Sequence, residues 1–133
     1  MSNISLNIIE QNQGATPHHE IVLLNQVVEE KSTGLRFAIP SLGQFATGFV
    51  LRFNGQLYAY VNQCAHIPIE LDWNQGDFLD SSKQFIVCAT HGAHYVPESG
   101  QCVMGPCKGK QLKQLHVTEK MTECGNEITI LID

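Results

Sequence analysis

Residues 64–95 read CAHIPIELDWNQGDFLDSSKQFIVCATHGAHY. A Cys-x-His box, Cys64 and His66, opens the stretch, and a Cys-x-x-His box, Cys88 and His91, lies near its far end. Residues 67–87 separate the two and read as a strand-rich loop. Each box brings one thiolate and one imidazole to a loop tip. Two neighbouring tips then offer two sulfur and two nitrogen donors to one metal centre.

Two kinds of centre take that donor set. One is a tetrahedral zinc. The other is a 2Fe–2S cluster in which two His replace two Cys on one iron. Structural zinc sites usually pair like ligands, spaced by about two to four residues. Here both pairs are mixed, and a single residue separates Cys64 from His66. A diiron core needs one Cys from each loop for its inner iron and one His from each loop for its outer iron. Mixed boxes supply that, so the spacing favours the cluster, with a structural zinc module as the alternative.

Outside the boxes, Gly92 follows the second His, Tyr95 lies four residues beyond it, and Gly105-Pro106 follows a turn that contains Gly100. With Cys64-Ala65-His66 and Cys88-Ala89-Thr90-His91-Gly92, this pattern resembles the Rieske 2Fe–2S protein family over about Val22 to Ile132. The resemblance implies an all-β chain with a Rieske-type fold of stacked antiparallel sheets and a small cluster-binding subdomain. It implies Cys64 and Cys88 on the inner iron and His66 and His91 on the outer one. Gly92, Ala93, Tyr95 and Pro106 would surround the cluster, Pro106 on a loop that shields it. Residues 19–133 would form the domain, with its cluster-binding loops at about 62–107, and residues 1–18 a flexible arm.

The departures locate the chain within that family. Respiratory members carry an extra Cys in each cluster loop, joined as a disulfide; Ile69 and Thr90 stand there instead. They also place a Ser two residues after the second His, where this chain has Ala93. The Tyr whose hydroxyl bonds a ligand sulfur is kept, as Tyr95. Hydrogen bonds to the sulfurs stabilise the more negative, reduced cluster and raise its potential. Loss of the Ser should therefore lower the potential, partly offset by Tyr95. The pattern is closer to the soluble Rieske-type ferredoxin branch.

The remaining chain reads as strands. Phe49, Leu51 and Phe53 alternate with Val50 and Arg52. Asn54-Gly55 follows, then Leu57, Ala59 and Val61 alternate with Tyr58 and Tyr60. Asn-Gly between alternating runs predicts a type I′ hairpin, since both turn residues need positive φ. It would span Phe45 to Val61 and feed directly into Cys64. Further strands are expected over Glu20 to Val28, Leu35 to Ile39, Gln84 to Val87, Gln101 to Met104, Leu112 to Lys120 and Glu127 to Ile132. Residues 68–82 hold Glu70, Asp72, Asp77 and Asp80, and read as a solvated acidic loop pinned by a packed Trp73. The competing reading is an acidic docking face with an aromatic near the cluster. His18 and His19 read as exposed, His94 as a surface or supporting residue, and His116 as structural.

A net charge of −5 argues against a nucleic-acid partner, which needs a basic face. No apolar run reaches the ~18 residues of a membrane span, and the N-terminal residues lack a signal-peptide pattern. A cytoplasmic protein is therefore expected. Five Cys leave three, Cys102, Cys107 and Cys124, outside the boxes. Cys102 and Cys107 read as small buried apolar residues, with a redox-active or bridging pair as the alternative. No dinucleotide fingerprint appears, and an oxygenase's mononuclear-iron domain is not expected, since only Asp133 follows Ile132. The expected role is a one-electron carrier, not an enzyme, between a flavin-dependent reductase and an oxygenase-type acceptor. The alternative is a small subunit bound to a larger, nitrite-reductase-like enzyme.

Overall fold

Asn54 and Gly55 both adopt positive φ, 51° and 83°, and fold β3 (Thr47–Phe53) back on β4 (Gln56–Val61). This is the expected hairpin, with Phe53 opposite Gln56 and Gly48 opposite Val61. It begins later than the sequence suggests. Phe45 is 83% exposed and stands in a turn after a 3₁₀ segment at Pro40–Leu42.

The computed structural model describes residues 19–132; the expected N-terminal arm and His18 lie outside them. The other strands are β1 (His19–Leu24), β2 (Leu35–Ala38), β5 (Ile86–Val87), β6 (His94–Tyr95), β7 (Cys102–Met104), β8 (Gln114–Thr122) and β9 (Gly125–Ile132). β1 stops four residues before Val28 because Asn25 turns to a φ of 56°. Six strands form one antiparallel sheet in the order β1-β9-β8-β4-β3-β2, and β5-β6-β7 form a second. The larger sheet consists of two three-stranded ladders joined by a short pairing of β4 with β8, at Ala59–Leu115 and Tyr60–Gln114.

The β3–β4 hairpin divides two cores. Its Phe49, Leu51 and Tyr60 side packs with Leu71, Phe78, Ile86 and Tyr95 beneath the two ligand boxes. Its Val50, Ala59 and Val61 side packs with Ile39, Leu115 and Ile130. Val50, on the face opposite Phe49, is thus as buried as Phe49 itself, because the hairpin is covered on both sides. Phe49 stacks on Phe78 with ring centroids 3.8 Å apart. The Tyr60 hydroxyl donates to the Pro97 carbonyl at 2.5 Å, pinning the turn after β6 to the hairpin.

One expectation fails. Trp73 is 74% exposed and not packed. The residue that pins its loop is the preceding Asp72, which is buried. His116 lies on β8 opposite Leu131, as a strand residue with an exposed side chain. Among the described residues, no helix is long and apolar enough to cross a membrane.

Candidate metal centre

Both boxes stand at strand ends. β4 ends at Val61, three residues before Cys64, and β5 ends at Val87, next to Cys88. Local hydrogen bonds shape each loop tip. Cys64 N–H donates to Ile69 O at 2.8 Å, and Cys88 N–H to Ala93 O at 2.9 Å. Gly92 N–H returns to Cys88 O at 2.9 Å, with Gly92 at a φ of 73° that L side chains rarely adopt. The tips are tied to each other twice. Ala89 N–H donates to Leu71 O at 3.0 Å, and the Trp73 indole N–H donates to the Thr90 hydroxyl at 3.2 Å.

A buried ionic network holds the first loop to the large sheet. The Asp72 carboxylate accepts from Arg36 on β2 at 3.3 Å, from Asn62 Nδ2 at 3.0 Å and from Gly76 N–H at 2.9 Å. Asn62 Oδ1 accepts from Leu71 N–H at 2.9 Å. The network joins residues far apart in the chain and has no local sequence pattern. The available signal is Arg36, one base within an otherwise apolar strand.

The four box residues converge in two pairs. Cys64 and Cys88 are buried, at 3% and 0% exposure. His66 and His91 are exposed, their ring centroids 5.2 Å apart and nearly perpendicular. Burial opposes ionisation of Cys64. Hydrogen bonding by the Tyr95 hydroxyl, the His66 and Ile67 N–H groups and Cys88 outweighs it, so the thiol is held below its ordinary value. Burial pushes the Cys88 thiol up, with the Thr90 and His91 N–H groups pulling the other way.

This arrangement fits a 2Fe–2S group by its donor chemistry. Two sulfurs taken out of water are ringed by N–H and O–H donors, as anionic thiolates require. The two nitrogen donors, which carry no negative charge, need no such shell and sit outside. Among the described residues, no three His, Cys, Asp or Glu side chains converge on a single ion position.

The Tyr95 hydroxyl lies 3.3 Å from Cys64 Sγ and accepts from Ala65 N–H at 3.0 Å. Ala93 is fully buried. Gly105, at a φ of 103°, packs so closely on the second loop that an added Cβ would lie 2.8 Å from the Ala93 Cα. Pro106 follows it, exposed. His94 stays outside the ligand pairs; its Nδ1 hydrogen-bonds Gly92 O at 2.6 Å and its Nε2 lies 3.5 Å from Asp80 Oδ2. Cys102 and Cys107 are buried together, Sγ to Sγ 2.9 Å, and Cys107 Sγ is 3.1 Å from the Tyr95 hydroxyl. Cys124 is exposed elsewhere.

Comparison with solved structures places this fold beside the ferredoxin of carbazole 1,9a-dioxygenase from Nocardioides aromaticivorans IC177. The TM-score is 0.58 at 18% identity, over 82% of this chain and 92% of that one. The reduced complex between oxygenase and ferredoxin in carbazole 1,9a-dioxygenase matches at a TM-score of 0.61 and 21% identity. That match covers 84% of this chain and 28% of the other. A complex of reduced oxygenase with oxidised ferredoxin matches at 0.58 and 21% identity, over 82% and 91%. At these identities the likeness is one of fold. A search of curated proteins finds no match. The family model for the Rieske [2Fe-2S] domain matches residues 17–120. With that span covering both boxes, the hairpin that delivers Cys64 and the Gly105-Pro106 loop, the chain belongs to the Rieske [2Fe-2S] domain family, and its cofactor is a 2Fe–2S cluster.

Proposed function

We propose that this protein is a one-electron carrier that takes electrons from a flavin-dependent reductase and delivers them to an oxygenase. Cys64 and Cys88 hold the buried iron, and His66 and His91 the outer one. The observation that carries the reading is the paired geometry: two buried thiols among N–H donors, with two exposed imidazoles beside each other at the surface. When bound, the cluster accepts and releases a single electron. The exposed imidazole edges give that electron a short path to a partner. Trp73, exposed and bonded to Thr90 next to His91, adds an aromatic contact at the same surface. The fold shared with the ferredoxin of carbazole 1,9a-dioxygenase, and with ferredoxin–oxygenase complexes of that system, supports an oxygenase as the acceptor. The protein acts in the cytoplasm as a carrier without catalysis of its own.

The test is spectroscopic. Anaerobically purified protein is expected to contain iron and acid-labile sulfide in equal amounts and to give a Rieske-type EPR signal on reduction. A colourless, zinc-loaded protein would overturn the reading.

Two substitutions probe the sulfur environment. Tyr95→Phe removes the hydroxyl beside Cys64 and is expected to lower the midpoint potential by on the order of 50 mV, since a charge-assisted bond of about 1 kcal/mol is lost from the reduced state. Ala93→Ser is expected to raise the potential by a similar amount, because a hydroxyl is added on the buried side of the second loop. Protein-film voltammetry measures both. An unchanged potential in either variant removes the hydrogen-bond account at that position.

A further inference from the structure

Tyr95 has one proton and two lone pairs to share among three neighbours. The Ala65 N–H donates to its oxygen at 3.0 Å and takes one lone pair. Cys64 Sγ lies at 3.3 Å and Cys107 Sγ at 3.1 Å. A ligand thiolate carries no proton, so Cys64 can only accept, and the Tyr95 O–H must point to it. The remaining lone pair then faces Cys107, and the contact is favourable only if the Cys107 S–H donates. Cys107 is thus the group that decides how strongly the Tyr95 hydroxyl is polarised toward Cys64, because successive hydrogen bonds reinforce each other.

The proton of Cys107 has a second acceptor. Cys102 Sγ is 2.9 Å away, and the Cys102 thiol itself donates to Met104 O at 3.4 Å. Three backbone bonds hold the two residues together: Cys102 N–H to Lys110 O at 2.8 Å, Lys110 N–H to Cys107 O at 2.9 Å and Gly109 N–H to Cys102 O at 3.3 Å. A disulfide needs a sulfur separation of about 2.05 Å, so less than 1 Å of movement closes the bond.

We propose that Cys102 and Cys107 are an oxidation site that tunes the metal centre: with both as thiols, Cys107 donates to Tyr95 and strengthens its bond to Cys64, and in a disulfide it cannot. This rests on Cys64 being a ligand. The oxidant is a small peroxide, since the pair is buried at 2% and 1% exposure and a bulky disulfide would not reach it. The Cys102 sulfur attacks the O–O bond; an S–O bond forms, the O–O bond breaks, and the departing hydroxide leaves with the thiol proton as water. The Cys107 sulfur then attacks the sulfenic Cys102; the S–S bond forms and the S–O bond breaks, releasing a second water. Two electrons pass from the two sulfurs to one peroxide. Burial keeps Cys107 protonated as a donor and makes it a slow nucleophile, so the pair responds to sustained peroxide exposure.

The experiment treats cluster-loaded protein with hydrogen peroxide, maps disulfides by non-reducing peptide mass spectrometry, and measures the potential by protein-film voltammetry. A Cys102–Cys107 link is expected, with the reduction equilibrium constant falling about two- to fourfold, or ~18–36 mV at 59 mV per decade. Dithiothreitol should restore both. Cys102→Ala keeps the Cys107 donor and should hold the untreated potential after peroxide. Cys107→Ala should sit at the oxidised wild-type value throughout, and Cys107→Ser, which retains a donor, should not. Absence of the link, a link without a shift, or a shift of equal size in Cys102→Ala overturns the proposal. Failure of the underlying ligand reading shows separately, as missing iron in untreated protein, because the mapping does not depend on Cys64.

Discussion

Cys88→Ala is expected to purify colourless, without iron or acid-labile sulfide and without an EPR signal after reduction. Cys88 is fully buried at the end of β5, so no exposed side chain or solvent ligand can replace its sulfur without opening the second loop. The Thr90 and His91 N–H groups that face the thiol would lose that acceptor. The substitution therefore removes a buried ligand that nothing at the surface replaces. Stability should fall with the metal, because the free energy of binding is also free energy of folding in loops with little regular structure of their own. The control is Cys124→Ala, which removes an exposed thiol in the β8–β9 turn and should leave iron content and spectrum unchanged. Full iron and an unaltered EPR signal in Cys88→Ala would remove Cys88 from the ligand set and the proposed function with it.

The parts of this site that could be read in the sequence are those whose determinants are local. Asn54-Gly55 dictates its own backbone, so the hairpin and its delivery of Cys64 follow from a dipeptide and two alternating runs. The boxes are equally local, since one or two residues between Cys and His suffice to put sulfur below and imidazole above on a single tip. What could not be read depends on partners distant in the chain. Asp72 looks like one carboxylate in an acidic loop until Arg36, 36 residues earlier, is brought to it by β2. Trp73 carries the usual presumption that an aromatic is packed, but the buried Asp72 beside it turns the indole outward. β5 and β6 are two residues each, too short for periodicity to register. The contact of Cys107 with Tyr95 needs both the turn at residues 107–110 and the bulge at His94–Tyr95.

Asp72→Ala is expected to destabilise the protein by about 3 kcal/mol, the usual result of removing one partner from a buried charge pair. For a domain of this size that corresponds to a fall in Tm of roughly 10 °C. The Asp72 side chain is fully inaccessible, whereas Arg36 keeps 19% exposure and a second partner, Glu70, at 2.8 Å. Glu70 is 42% exposed in its side chain, and exposed ion pairs contribute about 0–1 kcal/mol. Glu70→Ala should thus cost far less than Asp72→Ala, although both remove one carboxylate from the same guanidinium. The larger loss has three sources: Arg36 loses its buried counter-charge, Gly76 N–H loses its acceptor, and Asn62 Nδ2 loses one of two, keeping only the Thr47 hydroxyl. Asp72→Asn preserves the shape and one acceptor oxygen, so it should fall between the two. The consequence reaches the metal site, because Leu71, which accepts from Ala89 of the second loop, is adjacent to Asp72. Asp72→Ala should lose iron to a chelator faster than Glu70→Ala does at the same temperature. Equal losses of stability in the two alanine variants would mean that the buried network does not hold the first ligand loop in place.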